Sequence, residues 1–213
     1  MVGNLKSNQE IEVKLEIVDK QQVKVLHRYL QSLIEDKNKE KLQHIVMKAI
    51  YYDTEEGFYR QNKIAYRVRQ ENDCFVATYK EGKINAQGIF ERIEVNKIVD
   101  SLEPDISVFA GEQIIWEKIK ESKTKKFIPM IITDFVRECI VIPWRKSLIE
   151  LALDEGFVQG GKHKAPICEV ELELKSGNIE DLLSLKEILM EKFSVEVSLI
   201  SKYKRGLLLL EEN

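Results

Sequence analysis

Cysteine is scarce. The 213-residue chain has three, Cys74, Cys139 and Cys168, far apart and without a CxxC pair. That spacing suggests neither a disulfide framework nor a zinc site, and a reducing cytoplasm is the expected setting. Four prolines and ten glycines are scattered along the chain, so no linker, repeat or low-complexity segment divides it. No apolar run approaches the roughly 18 to 20 residues that cross a bilayer. The first nine residues lack the apolar core of a secretory signal. A membrane partner is therefore not expected. Positive charge is not in excess either: 33 basic against 36 acidic residues leave a formal net charge of −3. That balance argues against a general nucleic-acid binder, although it allows a locally basic cavity.

What the chain does have is charge in a strand-like rhythm, with 32% charged and 44% hydrophobic residues. Glu10, Glu12, Lys14 and Glu16 fall on one parity, and Ile11, Val13, Leu15 and Ile17 on the other. Strand side chains alternate between faces, so this stretch predicts a β-strand with one apolar and one ionic face. Taken alone, an ionic face is the wet side of a sheet. The same pattern returns, however. Arg67 and Arg69 share a face in 64–70, and Lys80 follows in 74–80. Arg92, Glu94 and Asn96 share one in 90–98, and Arg137 lies in an apolar setting in 128–142. Glu150 leads to Asp154, and Glu169, Glu171, Glu173 and Lys175 alternate with Val170, Leu172 and Leu174. Residues 44–53 form a further predicted strand.

Helices are expected after Asp19 (with the stripe Val23, Leu26, Leu30, Leu33 and Ile34, ending near Asp36), within 101–122, after Asn178, and from Ser201. His27, beside the first stripe, reads as a core or boundary residue rather than a ligand. About seven strands then pair apolar faces with three or four amphipathic helices, leaving the ionic faces to meet inside a barrel. Eight strands are about enough to enclose side chains or one small ligand. Converging Arg and Lys suit a polyanion, while the ExE pairs, with carboxylates roughly 6 to 7 Å apart by strand rise, suit a hard cation such as Mg²⁺ or Mn²⁺. Together they read as a metal–triphosphate site.

These residues resemble the motifs of the CYTH family, the triphosphate tunnel metalloenzymes. Glu10-Ile-Glu-Val-Lys14 is similar to its ExExK signature. Tyr51 to Thr54, Ile64 to Arg69, Thr78 to Lys80, Glu91 to Glu94, Thr133 to Arg137, Ile149 to Gly156, Pro166 to Gly177 and Leu199 to Gly206 follow in the family's order. The last two are most similar to the bacterial inorganic-triphosphatase branch. The resemblance implies an α+β fold, an eight-stranded antiparallel β-barrel with helices packed outside, and one domain over 1–213; the expected lack of the helical CHAD domain that relatives in this branch often carry is a departure from their pattern. It implies that Glu10, Glu12, Glu169 and Glu171 hold Mg²⁺ or Mn²⁺. Lys14, Arg67, Arg69, Lys80, Arg92, Arg137, Lys202 and Arg205 would hold phosphate. Glu94, Glu150 and Asp154 join the catalytic set with Glu10, Glu12 and Lys14, and Glu173 lies at the tunnel mouth.

The expected activity is hydrolysis of the terminal phosphate of tripolyphosphate or a similar small triphosphate. Water is the expected nucleophile, since no Ser–His or Cys–His pair stands out. A thiamine triphosphatase or a class IV adenylyl cyclase of the same family is the first alternative. A non-catalytic sensor of polyphosphate or nucleotide is the second. Oligomeric state, a homodimer included, is left open at this level. Thr133 and Phe135 around Arg137 are a departure from more basic relatives and bear on substrate length.

Overall fold

The computed structural model describes residues 8–33 and 42–212. The strands are β1 (Gln9–Ile17), β2 (Gln43–Thr54), β3 (Ile64–Glu71), β4 (Cys74–Ile84), β5 (Ile89–Val99), β6 (Phe127–Trp144), β7 (Ser147–Gly160), β8 (His163–Ser176) and the short β9 (Val195–Val197). The helices are α1 (Gln22–Ser32), α2 (Phe58–Gln61), α3 (Gln113–Ile119), α4 (Ile179–Lys192) and α5 (Lys202–Glu211). The order across the sheet is β5-β4-β3-β2-β6-β7-β8-β1, with β9 beside β1. Pairing of Gln9–Val13 with Ile89–Ile93 joins β1 to β5 and closes eight antiparallel strands into a barrel.

Alternation decides what each face meets. Ile11, Val13, Leu15 and Ile17, with Leu151, Leu153, Val170 and Leu172, turn outward under Leu26 and Leu30 of α1 and Leu182, Leu185 and Leu189 of α4. On the other side Tyr66, Val68, Tyr79 and Val95 pack beneath Phe109, Ile115 and Ile119. Burying these faces removes apolar area from water at about 25 cal/mol per Å². The ionic parities point inward.

Three details differ from the sequence reading. Helix α1 begins at Gln22 and Asp19 accepts a hydrogen bond from the Gln21 amide (2.9 Å); the expected extension through Ile34 to Asp36 lies outside the described residues. Asn178 occupies the N-cap position of α4, yet its side chain makes no capping bond. Ser147 accepts from the Asn178 amide (2.9 Å) and donates to Asp181 (2.7 Å), so a distant strand organises that helix start. Finally, the interior is not ionic all round. Met47, Ala49, Tyr51, Ile131, Phe135, Val158 and Ile167 form an inner apolar sector, and Leu209 of α5 packs into it. Helix α5 therefore covers the end of the barrel where β7 ends and β8 begins. Gly206 fits there against Ile131, only 2.4 Å from where a Cβ would stand.

Candidate functional site in the barrel interior

The inward faces enclose a cavity of about 750 Å³. Thirteen of the expected site residues have a simple location. Glu10, Glu12, Lys14, Arg67, Arg69, Lys80, Arg92, Glu94, Arg137, Glu150, Glu171, Glu173 and Lys202 line it. Asp154 and Glu169 are fully buried behind Lys202, and Arg205 reaches Glu169 (3.3 Å) and the Pro166 carbonyl (3.1 Å).

Register sorts the carboxylates into two centres. On β1 and β8, Glu12 faces Glu173, and Lys14 faces Glu171. The Glu10–Glu12 and Glu169–Glu171 pairs are thus offset along the barrel. In the first centre Lys80 donates to Glu10 (2.7 Å) and pairs with Glu94, while Arg92 donates to Glu10 (3.3 Å) and Glu12 (2.5 Å). In the second, Arg137 grips Asp154 through two bonds of 2.7 Å and also reaches Glu171. Lys202 donates to Asp154 (2.6 Å), Glu171 (2.9 Å) and Glu169. Lys14 links the centres by donating to Glu12 (3.1 Å) and Glu171.

The charge states follow from this geometry. Burial pushes the Glu10 carboxyl up to about 7 against the pull of Lys80, with Glu12 and Glu94 adding to the rise. Burial also opposes ionisation of Glu94, but Lys80, Arg67 and Arg69 hold it below the usual carboxylate range. Like charges this close titrate as a pair, with one favoured for the proton. Glu171 is held well below its ordinary value because Lys14, Lys202 and Arg137 outweigh its burial.

Asp154, Glu169 and Glu171 each bring one carboxylate oxygen within 4.8 Å of the others, all buried. An all-oxygen, anionic donor set fits a hard divalent cation, and the Lys202 ammonium sits among the same oxygens. The expected pair Glu169 and Glu171 is therefore completed by Asp154, whereas Glu10 joins Glu94.

The sequence reading passed over the aromatic backing of the cations. Phe90 lies under Arg92 (4.2 Å to the ring centroid) and Lys14 (5.7 Å), and Phe135 under Lys202 (5.0 Å) and Arg137 (5.9 Å). Tyr51 accepts from Arg67 (3.1 Å) and stacks on Tyr203 of α5. For Phe90 a signal was available: it shares the parity of Arg92 and Glu94.

The CYTH domain model matches residues 8–206. An inorganic triphosphatase of Haemophilus influenzae is 32% identical over 203 residues, which are 94% of this chain and 55% of that protein. The chain thus spans about half the length of that relative. Among solved structures, a Hippeastrum adenylyl-cyclase candidate described as having a dominant triphosphatase activity superposes with a TM-score of 0.66 at 20% identity, over 93% of this chain and 95% of that one. The triphosphatase of a mimivirus capping enzyme gives 0.55 at 15% identity, over 87% and 89%. These two likenesses bear on the fold, a barrel closed around ionic side chains. With the family's pattern running from β1 into α5, this chain belongs to the CYTH domain family.

Proposed function

We propose that the protein is a metal-dependent triphosphate hydrolase that removes the terminal phosphate of tripolyphosphate or a similar short triphosphate inside the barrel. One observation carries the reading: seven cations (Lys14, Arg67, Arg69, Lys80, Arg92, Arg137 and Lys202) and the carboxylates Glu10, Glu12, Glu94 and Glu171 line a single cavity of about 750 Å³, with Asp154 and Glu169 buried behind Lys202. The similarity to an inorganic triphosphatase supports the substrate class. Residues 1–213 are taken as one domain, and the cytoplasm as its setting; free Cys74, Cys139 and Cys168 agree with a reducing compartment.

Asp154, Glu169 and Glu171 would hold Mg²⁺ or Mn²⁺, with Glu12 across Lys14 from them. Such an ion supplies charge neutralisation at phosphate oxygens and a more acidic bound water. The protein's part is positioning. Lys14, Arg92 and Arg137 exchange carboxylate partners for phosphate oxygens and fix the chain. Lys80, Arg67 and Arg69 draw it toward the Glu10–Glu94 pair. Glu10, titrating near neutrality, holds or accepts a proton there. Phe90 and Phe135 keep water from the undersides of the cations.

Glu12→Gln keeps the shape of a side chain wedged between Lys14 and Arg92. It should abolish metal-dependent phosphate release from tripolyphosphate while the circular dichroism spectrum stays unchanged; an active variant ends the assignment of Glu12. Tripolyphosphate, thiamine triphosphate and ATP assayed side by side with Mg²⁺ and with Mn²⁺ decide among hydrolase, cyclase and non-catalytic binder.

A further inference from the structure

We propose that the bare outer wall formed by β2 and β6 binds a second copy of this chain, two-fold about an axis that runs along the strands between them. The inference is independent of the chemistry inside the barrel.

The wall is the gap between two helical covers. Helices α1 and α4 lie over β1, β8 and residues 149–153 of β7, while Phe109 and α3 lie over Tyr52 of β2 and over β3, β4 and β5. Between the covers, outward residues of β2 and β6 stay in water: Val46 is 58% and Val136 45% exposed. The two stand directly opposite each other. Among the described residues, no other two large apolar side chains exposed to that degree face each other across neighbouring strands. One level along, Asp134 lies opposite Lys48 on β2 and Phe157 on β7, and Phe157 lies opposite Pro166 on β8. Lys164 covers the half-buried Phe157 ring (4.1 Å to the centroid).

Register identifies the occupant. A two-fold interface is one patch meeting itself. An axis along the strands between β2 and β6 lays β6 of one copy over β2 of the other at the same level. Each residue then meets the residue it already faces across the ladder. Val46 meets Val136 of the second copy, and Lys48 meets its Asp134. Within one chain the side chains of Lys48 and Asp134 have no hydrogen bond or ion pair, although they stand opposite each other. On the other side of the valines, His44 and the buried Glu138 are already paired (3.1 Å), so the strip ends there. A different partner would need an acid, a base and an apolar centre in matching order; a second copy has all three at the required spacing.

Two sheets pack face to face about 10 Å apart, with strands crossing at about 30°. From β3 to β8 the strip is about 20 Å wide and about as long, roughly 400 Å² per copy. A standard interface takes about 800 Å² from each partner, and the outside of a barrel is convex. The dimer is therefore weak and depends on concentration.

Sedimentation equilibrium on the full chain at low salt, up to about millimolar concentration, should show the mass rising toward twice that of the monomer. Lys48→Asp and Asp134→Lys each set like charges together at two places in the dimer, and each should weaken association about tenfold or more. Thermal melts show that both variants fold. Mixed in equal amounts, the two should associate as tightly as the wild type, because each offers the charge that the other lacks. Val46→Glu should leave a monomer. A wild type that stays monomeric throughout overturns the second copy and leaves the wall to a different occupant. Single charge variants that associate like the wild type, or a mixture no tighter than either alone, overturn the two-fold axis and the proposal with it.

Discussion

Lys202 donates to three buried carboxylates at once, Asp154, Glu169 and Glu171. Removing one member of a buried ionic cluster leaves charge without compensation, at about 3–5 kcal/mol. Lys202→Met should therefore lower the melting temperature markedly, and Mn²⁺ should restore more of it than it adds to the wild type, because the cation returns to the same oxygens. Phe90 carries a smaller effect. Replacing its ring by an aliphatic side chain removes cation–π support from Arg92 and Lys14, about 0.5–1 kcal/mol. Phe90→Leu should raise KM for tripolyphosphate about two- to fivefold, and Phe90→Tyr should restore it with little change in kcat. Outside the barrel, His27 lies between Glu138 and Glu155 (2.7 Å), with His44 on the other oxygen of Glu138 (3.1 Å). Burial lowers its pKa, but hydrogen bonds and charge from the two carboxylates win and raise it above 6.5. A raised pKa stabilises the folded state below the unfolded value, and the gain is lost as pH rises through the folded value. His27→Gln should thus cost about 1 kcal/mol, discounted for a part-exposed pair, in melts near about pH 5 and less in alkaline buffer.

At the scale of elements, β6 shows how a strand is made to serve two cores. Tyr51 pairs with Ile131 while Tyr52 pairs with Pro129, so Met130 is an extra, bulged residue. Proline has no amide hydrogen for the ladder, and such residues collect at bulges. The bulge reverses the parity. Phe127 turns outward to Tyr59 and Tyr66, each 5.7 Å away, whereas Ile131, Phe135 and Arg137 turn inward. On β7, Gly156 opposite Phe135 permits close passage: a Cβ there would lie 2.2 Å from the Asp134 carbonyl. Gly156→Ala should force β6 and β7 apart, lower stability by about 1–3 kcal/mol as overpacking does, and shift Arg137 from Asp154. Denaturant melts and KM would show both effects.

For the molecule as a whole, closure gives each of the eight strands two neighbours and gathers their cations and carboxylates around one lumen. A ligand that binds the native state alone stabilises it by about 2.7 kcal/mol at a hundredfold excess over Kd. Tripolyphosphate should therefore raise the melting temperature, by about 5–10 °C for a chain of this size. High salt should shrink the shift by screening the charges.

The alternation of Glu10 to Ile17 and of Glu169 to Lys175 was enough to determine strands and their two kinds of face, because strand geometry is local and has a period of two; that the ionic face turns inward followed only from its return in the other strands beside amphipathic helices. The identity of the inward residues likewise marked out anion and cation chemistry. Tertiary structure alone decided how those residues group. Register set Lys14 against Glu171, 157 residues away, and so parted Glu10 from the β8 carboxylates, while the β7–β8 hairpin set Asp154 opposite Glu169. The apolar sector under α5 is decided in the same way, by side chains that meet only once the barrel has closed.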